Sequence, residues 1–91
     1  MHKKFNPLRR KQIVRAMLET LSMAGGYALE DSIFLSYVDD LIKPPLDFGE
    51  KGLFKKLCID EGWMRAVEDS LDPGLKQYVL TELGRNYLAS L

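Results

Sequence analysis

One cysteine, Cys58, and one histidine, His2, are all that this 91-residue chain offers for thiolate or imidazole chemistry. That scarcity excludes a zinc cluster, a Cys-His catalytic pair and an intramolecular disulfide, and makes a reduced, cytoplasmic setting the expectation. Long apolar runs are missing too. Nothing approaches the roughly 18 to 20 residues that a bilayer-spanning helix needs, and no signal-like apolar block opens the chain, so neither membrane insertion nor secretion is expected. Without a glycine-rich phosphate loop or a base beside a nucleophile, no enzyme activity, cofactor or metal is expected either. Net charge is absent as well, since 13 Lys and Arg balance 13 Asp and Glu.

That balance conceals a polarity. Lys3, Lys4, Arg9, Arg10, Lys11 and Arg15 all precede the first acidic residue, Glu19, while Glu30, Asp31, Asp39 and Asp40 form an acidic block further on. Such asymmetry puts a basic end and an acidic face on one small body. At this length there is room for one core, so residues 1–91 are expected to form a single domain, with 1–6 a flexible basic arm.

Local signals divide the chain into four helices and three extended segments. Asn6-Pro7 is a helix start, because asparagine can accept from orphan backbone N–H groups and proline suits the first helical position. Ile13, Val14, Met17, Leu18 and Leu21 then recur at helical spacing until Gly25-Gly26 stops the helix near Met23. Tyr27-Ala28-Leu29 reads as one short edge strand or connector. Glu30-Asp31-Ser32 favours the start of a second helix, with Ile33, Phe34, Tyr37, Val38, Leu41 and Ile42 as its apolar side, broken at Lys43-Pro44-Pro45. Asp47 and Glu50 have capping-box spacing and open a third helix that runs to about Glu61 before Gly62.

On a helical wheel of that third segment, Leu53, Phe54, Leu57 and Cys58 share one arc, whereas Lys51, Lys55 and Lys56 flank the opposite side with Gly49 and Gly52. One side can pack while the other shows lysines outward. Cys58, on the apolar arc, is expected to be a buried structural thiol. Two strands follow, Trp63 to Val67 and Lys76 to Leu80, joined through Asp72-Pro73-Gly74, where proline and glycine fit the second and third positions of a type II turn. Trp63 is expected to anchor this hairpin in the core. Thr81 caps a final helix whose apolar side is Leu83, Tyr87, Leu88 and Leu91, with Tyr87 and Leu91 as candidates for a dimer contact.

The sequence "DEGW" at Asp60 to Trp63 and "YVLTELGRNYL" at Tyr78 to Leu88 resemble the third-helix-to-wing and wing-to-helix junctions of winged helix-turn-helix proteins of the PadR and MarR types. A narrower similarity is to the short winged-helix proteins of Mu-like prophages. The resemblance implies an α+β, mainly α fold: a three-helix core, a β-hairpin wing and a C-terminal helix. It departs from the family pattern where Lys55 and Cys58 stand in place of leucines seven and four residues before the helix-ending glycine, with Phe54 and Leu57 each one place earlier.

The resemblance implies duplex DNA as partner, bound by a homodimer acting as a transcriptional regulator or phage-related protein. Lys51, Lys55 and Lys56 would face the major groove or its phosphates, and Arg9, Arg10 and Lys11 would hold the backbone. Lysine suits phosphate neutralisation, but the third helix has none of the arginine, asparagine or glutamine that read base edges, and the wing is acidic at Glu68, Asp69 and Asp72. The alternative is a winged-helix module that binds protein, with the acidic second helix meeting a basic partner.

Overall fold

Asn6 starts the first helix as its side chain suggests, its oxygen accepting the Leu8 N–H at 2.8 Å with Pro7 in the first turn. The computed structural model describes residues 6–68 and 71–91, so His2, Lys3, Lys4 and Asp69 lie outside the described residues. Helix α1 spans Pro7–Met23, strand β1 Leu29–Glu30, α2 Asp31–Leu41, α3 Phe48–Asp60, β2 Met64–Glu68, β3 Lys76–Leu80 and α4 Glu82–Ser90. The sheet is antiparallel in the order β1-β3-β2, with Leu29 opposite Tyr78 and Met64 opposite Leu80.

Each helix start has a local cause. The Glu30 side chain accepts the Ser32 N–H and the Ser32 hydroxyl, capping α2 one residue earlier than the Asp31-Ser32 pair alone would suggest. At α3 both arms of the capping box are present: Asp47 accepts from the Glu50 N–H at 2.7 Å and Glu50 accepts from the Asp47 N–H at 3.1 Å. Thr81 caps α4 by accepting the Gly84 N–H at 2.9 Å, and its hydroxyl donates to the Gly62 carbonyl at 2.6 Å. A side chain at position 84 has no room, because its Cβ would sit 1.9 Å from the Trp63 carbonyl oxygen. The "TELG" stretch therefore turns the chain and lets α4 cross the start of β2.

The core joins Ile13, Met17, Leu18 and Leu21 of α1, Phe34 and Val38 of α2, Phe54 and Cys58 of α3, and Met64, Tyr78 and Leu80 of the sheet. Three expectations need correction. In α2 the buried line is Phe34, Val38 and Ile42, while Ile33, Tyr37 and Leu41 are half exposed; the apolar arc is wider than a core this small covers. In α3 the buried line is Glu50, Phe54 and Cys58, with Leu53 46% exposed, so the helix is rotated from the wheel's predicted packing arc. The wing turn exists, with the Leu75 N–H donating to the Asp72 carbonyl at 2.9 Å, but Gly74 is not among the glycines at positive φ, which a type II turn requires. The Asp72 side chain instead accepts the Gly74 N–H at 3.2 Å, an Asx turn that needs no left-handed residue.

Candidate nucleic-acid interface

The three α3 lysines do not share one open face. Lys51 reaches Asp39 of α2 at 3.7 Å and Lys55 reaches Asp31 at 2.7 Å, so both lie along the α2 edge of α3. Lys55 also stands over the Tyr78 ring, 5.6 Å from its centroid. Burial works against its charge, but the hydrogen bond to Asp31, together with the electrostatics of Asp31 and Tyr78, outweighs that cost and raises its pKa. Only Lys56 stands well out, 74% exposed, in an i,i+4 pair with Asp60. The acidic block of α2 thus has a different use from the one the sequence suggested: Asp31 and Asp39 hold α3, and Asp39 also accepts the Leu46 N–H at 3.1 Å.

What α3 does turn outward is mixed. Phe48, Gly49, Gly52, Leu53, Lys56, Ile59 and Asp60 are exposed, with Phe48 93% so. Neither arginine nor an amide side chain lies on it. Beside its Leu53 edge runs the first half of α1, where Arg10 lines a small hollow together with Leu53, Phe54 and Leu57.

The amino-terminal cations divide. Arg9 is turned inward, its guanidinium clasping Glu50 through Nε at 3.1 Å and Nη2 at 2.9 Å and donating to the Pro44 carbonyl at 2.8 Å. Arg10 and Lys11 are exposed and have no ion pair among the described residues. They rim a groove of about 450 Å³ whose floor includes Val14, Leu57, Trp63 and Tyr87. Trp63 and Tyr87 stack there at 3.9 Å with planes 8° apart, so the tryptophan anchors the wing base by packing on α4 while remaining partly accessible.

On the wing, Arg65 and Lys76 are exposed cations that the sequence reading passed over because Glu68 and Asp72 dominated the local charge. Lys76 lies directly opposite Glu68 in the strand register. Cys58 is fully buried against Met17, its sulfur 4.0 Å from the thioether, and burial pushes the thiol up to about 12 with a smaller contribution from Glu61. No group of three His, Cys, Asp or Glu side chains that could hold a metal ion occurs among the described residues, nor is any described helix long and apolar enough to cross a membrane.

This arrangement of elements matches solved structures over most of its length. A candidate transcriptional regulator from Thermoplasma acidophilum superposes with a TM-score of 0.71 at 14% identity, covering 93% of this chain and 81% of that one. A winged-helix DNA-binding protein from STIV gives 0.70 at 20% identity, covering 96% and 86%. The chain has the winged-helix fold. A third winged-helix match, F-93 of SSV1, gives a TM-score of 0.62 at 19% identity over 85% of this chain and 79% of that one. No family model matches the sequence, and neither does any curated protein. In winged-helix terms α2 and α3 are the helix-turn-helix pair, β2 and β3 the wing, and β1 the third strand that ties the wing to the trihelical body.

Proposed function

We propose that this winged helix binds duplex DNA, as a small cytoplasmic homodimer that regulates transcription or serves a phage-related role of the Mu-like prophage type. The outer side of α3 enters the major groove; Lys56 together with Arg10 and Lys11 meets phosphates on the flanks, and Lys51 and Lys55 add positive potential along the α2 edge. The observation that carries the reading is the mounting of α3. Its inner side is held by a core line and by ion pairs to α2, while its outer side, from Phe48 to Asp60, has no protein packed over it. A rigid, uncovered helix beside two unpaired cations is what groove insertion with backbone clamping needs. The tertiary likeness to a winged-helix DNA-binding protein from STIV supports the same reading.

A titration of random duplex at several salt concentrations tests it. Replacing Arg10, Lys11 and Lys56 by alanine should lower the slope of log affinity against log salt by up to about three units, close to one per phosphate released. An unchanged slope takes all three out of the interface.

A second reading has its own observation. The outer side of α3 carries Phe48, Leu53 and Ile59 and no base-reading side chain, a composition closer to a protein-binding surface than to a sequence reader. Under that reading the chain has negligible affinity for random duplex even at low salt, and Phe48→Ala disrupts partner capture.

A further inference from the structure

We infer that Arg9 is a positioning residue that sets the pose of α3 from within the fold and makes no phosphate contact itself. Every nitrogen of its guanidinium is already engaged. Nε and Nη2 form a two-pronged clasp on the Glu50 carboxylate, Nη1 donates to the Pro44 carbonyl at 2.8 Å, and Nη2 also reaches the Pro45 carbonyl at 3.4 Å. The side chain is only 17% exposed, and that of Glu50 8%. Its sequence neighbours Arg10 and Lys11 point the other way, into solvent.

The partners explain what the clasp controls. Glu50 is the third residue of α3, and the carboxylate that receives Arg9 also accepts the Asp47 N–H, one arm of the capping box. Pro44 and Pro45 belong to the connector between α2 and α3. One guanidinium therefore ties the first turn of α1, the inter-helix connector and the first turn of α3 together, and the outward residues Phe48, Gly49 and Gly52 sit on that same turn. Displacing this end would swing the whole outer side of the helix. Only a planar fork can serve two carboxylate oxygens and a carbonyl at once; lysine supplies the charge without that geometry.

The inference rests on the DNA reading for its readout, and Arg9→Lys separates the two roles. A residue that merely neutralises phosphate is well replaced by lysine. A residue that positions α3 is not, so Arg9→Lys, verified as folded by circular dichroism, should lose about tenfold or more in duplex affinity with the salt slope unchanged. Unaltered affinity, or a slope reduced by one unit, overturns the inference. Glu50→Gln supplies the independent check from a residue too buried to touch DNA. Removing a negative charge should raise affinity if only the overall field mattered, whereas loosening the clasp should lower it. Were the native protein to show no salt-dependent affinity for duplex, the DNA reading would fall alone. Positioning would then be read from amide hydrogen exchange in the free protein: Arg9→Lys should speed exchange at residues 51–54 relative to the α1 core amides, and equal protection there would refute it.

Discussion

Glu50 shows how much one side chain can be asked to do in a chain this short. It closes the capping box of α3, pairs with Arg9 and is buried, and the Arg9 hydrogen bond holds its carboxyl below the usual glutamate range. A depressed native pKa contributes stability above the unfolded-state value, and that contribution disappears as pH falls through the native value. The melting-temperature gap between the native protein and Glu50→Gln should therefore be constant near neutrality and shrink below about pH 4; a gap that does not narrow would mean the carboxylate contributes no charge-dependent stability. Gly84 is a second such residue. Gly84→Ala drives a methyl into the Trp63 carbonyl and should cost at least about 2 kcal/mol in denaturant unfolding, despite alanine's better helix propensity. Cys58 needs no such test of packing, but its raised pKa predicts a thiol inert to aromatic disulfide reagents at pH 8 until the chain is unfolded.

Among elements, the α2–α3 pair is bound by charge as well as by apolar packing. Asp39 and Asp40 are adjacent in sequence and equivalent in composition, yet Asp39 faces Lys51 and the Leu46 N–H while Asp40 is exposed without a described partner. Asp39→Ala should destabilise by about 1–2 kcal/mol, since it strips a partly buried amide of its acceptor, and Asp40→Ala should be close to neutral. Equal effects would show that the α2–α3 connection does not depend on that hydrogen bond. This asymmetry also changes how a basic protein partner could be tested, because charge reversal at Asp39 would disturb α3 directly and only Asp40 reports on the surface. The wing illustrates a different dependence. Its strands pair over five residues, and its base is fixed by the Trp63–Tyr87 stack and by Thr81 bridging Gly62 to α4.

For the whole molecule, the separation of charge decides the expected binding behaviour. The acids of α2 neutralise two of the three α3 lysines, so the external field comes chiefly from the unpaired end of α1 with Lys56, Arg65 and Lys76. Alanine replacement of Lys51 and Lys55 together should consequently change the salt slope less than replacement of Arg10 and Lys11, even though each pair carries the same formal charge. The reverse ordering would mean that DNA displaces Asp31 and Asp39 from their lysines.

Element order, helix starts and the strand-to-helix junction were written in the sequence, because caps, glycine stops and the spacing of apolar residues act over a few neighbouring positions. Asn6-Pro7, Asp47 with Glu50, and Thr81 needed no distant partner to be recognised. The rotation of α3, the inward turn of Arg9 and the sharing of Lys51 and Lys55 with α2 were decided only by tertiary structure. They depend on groups 12 to 41 positions apart, such as Lys51 with Asp39 and Arg9 with Glu50, which meet only when the helices pack. Cationic residues look alike along a chain; burial and the reach of an opposing carboxylate determine which of them remains free to meet a ligand.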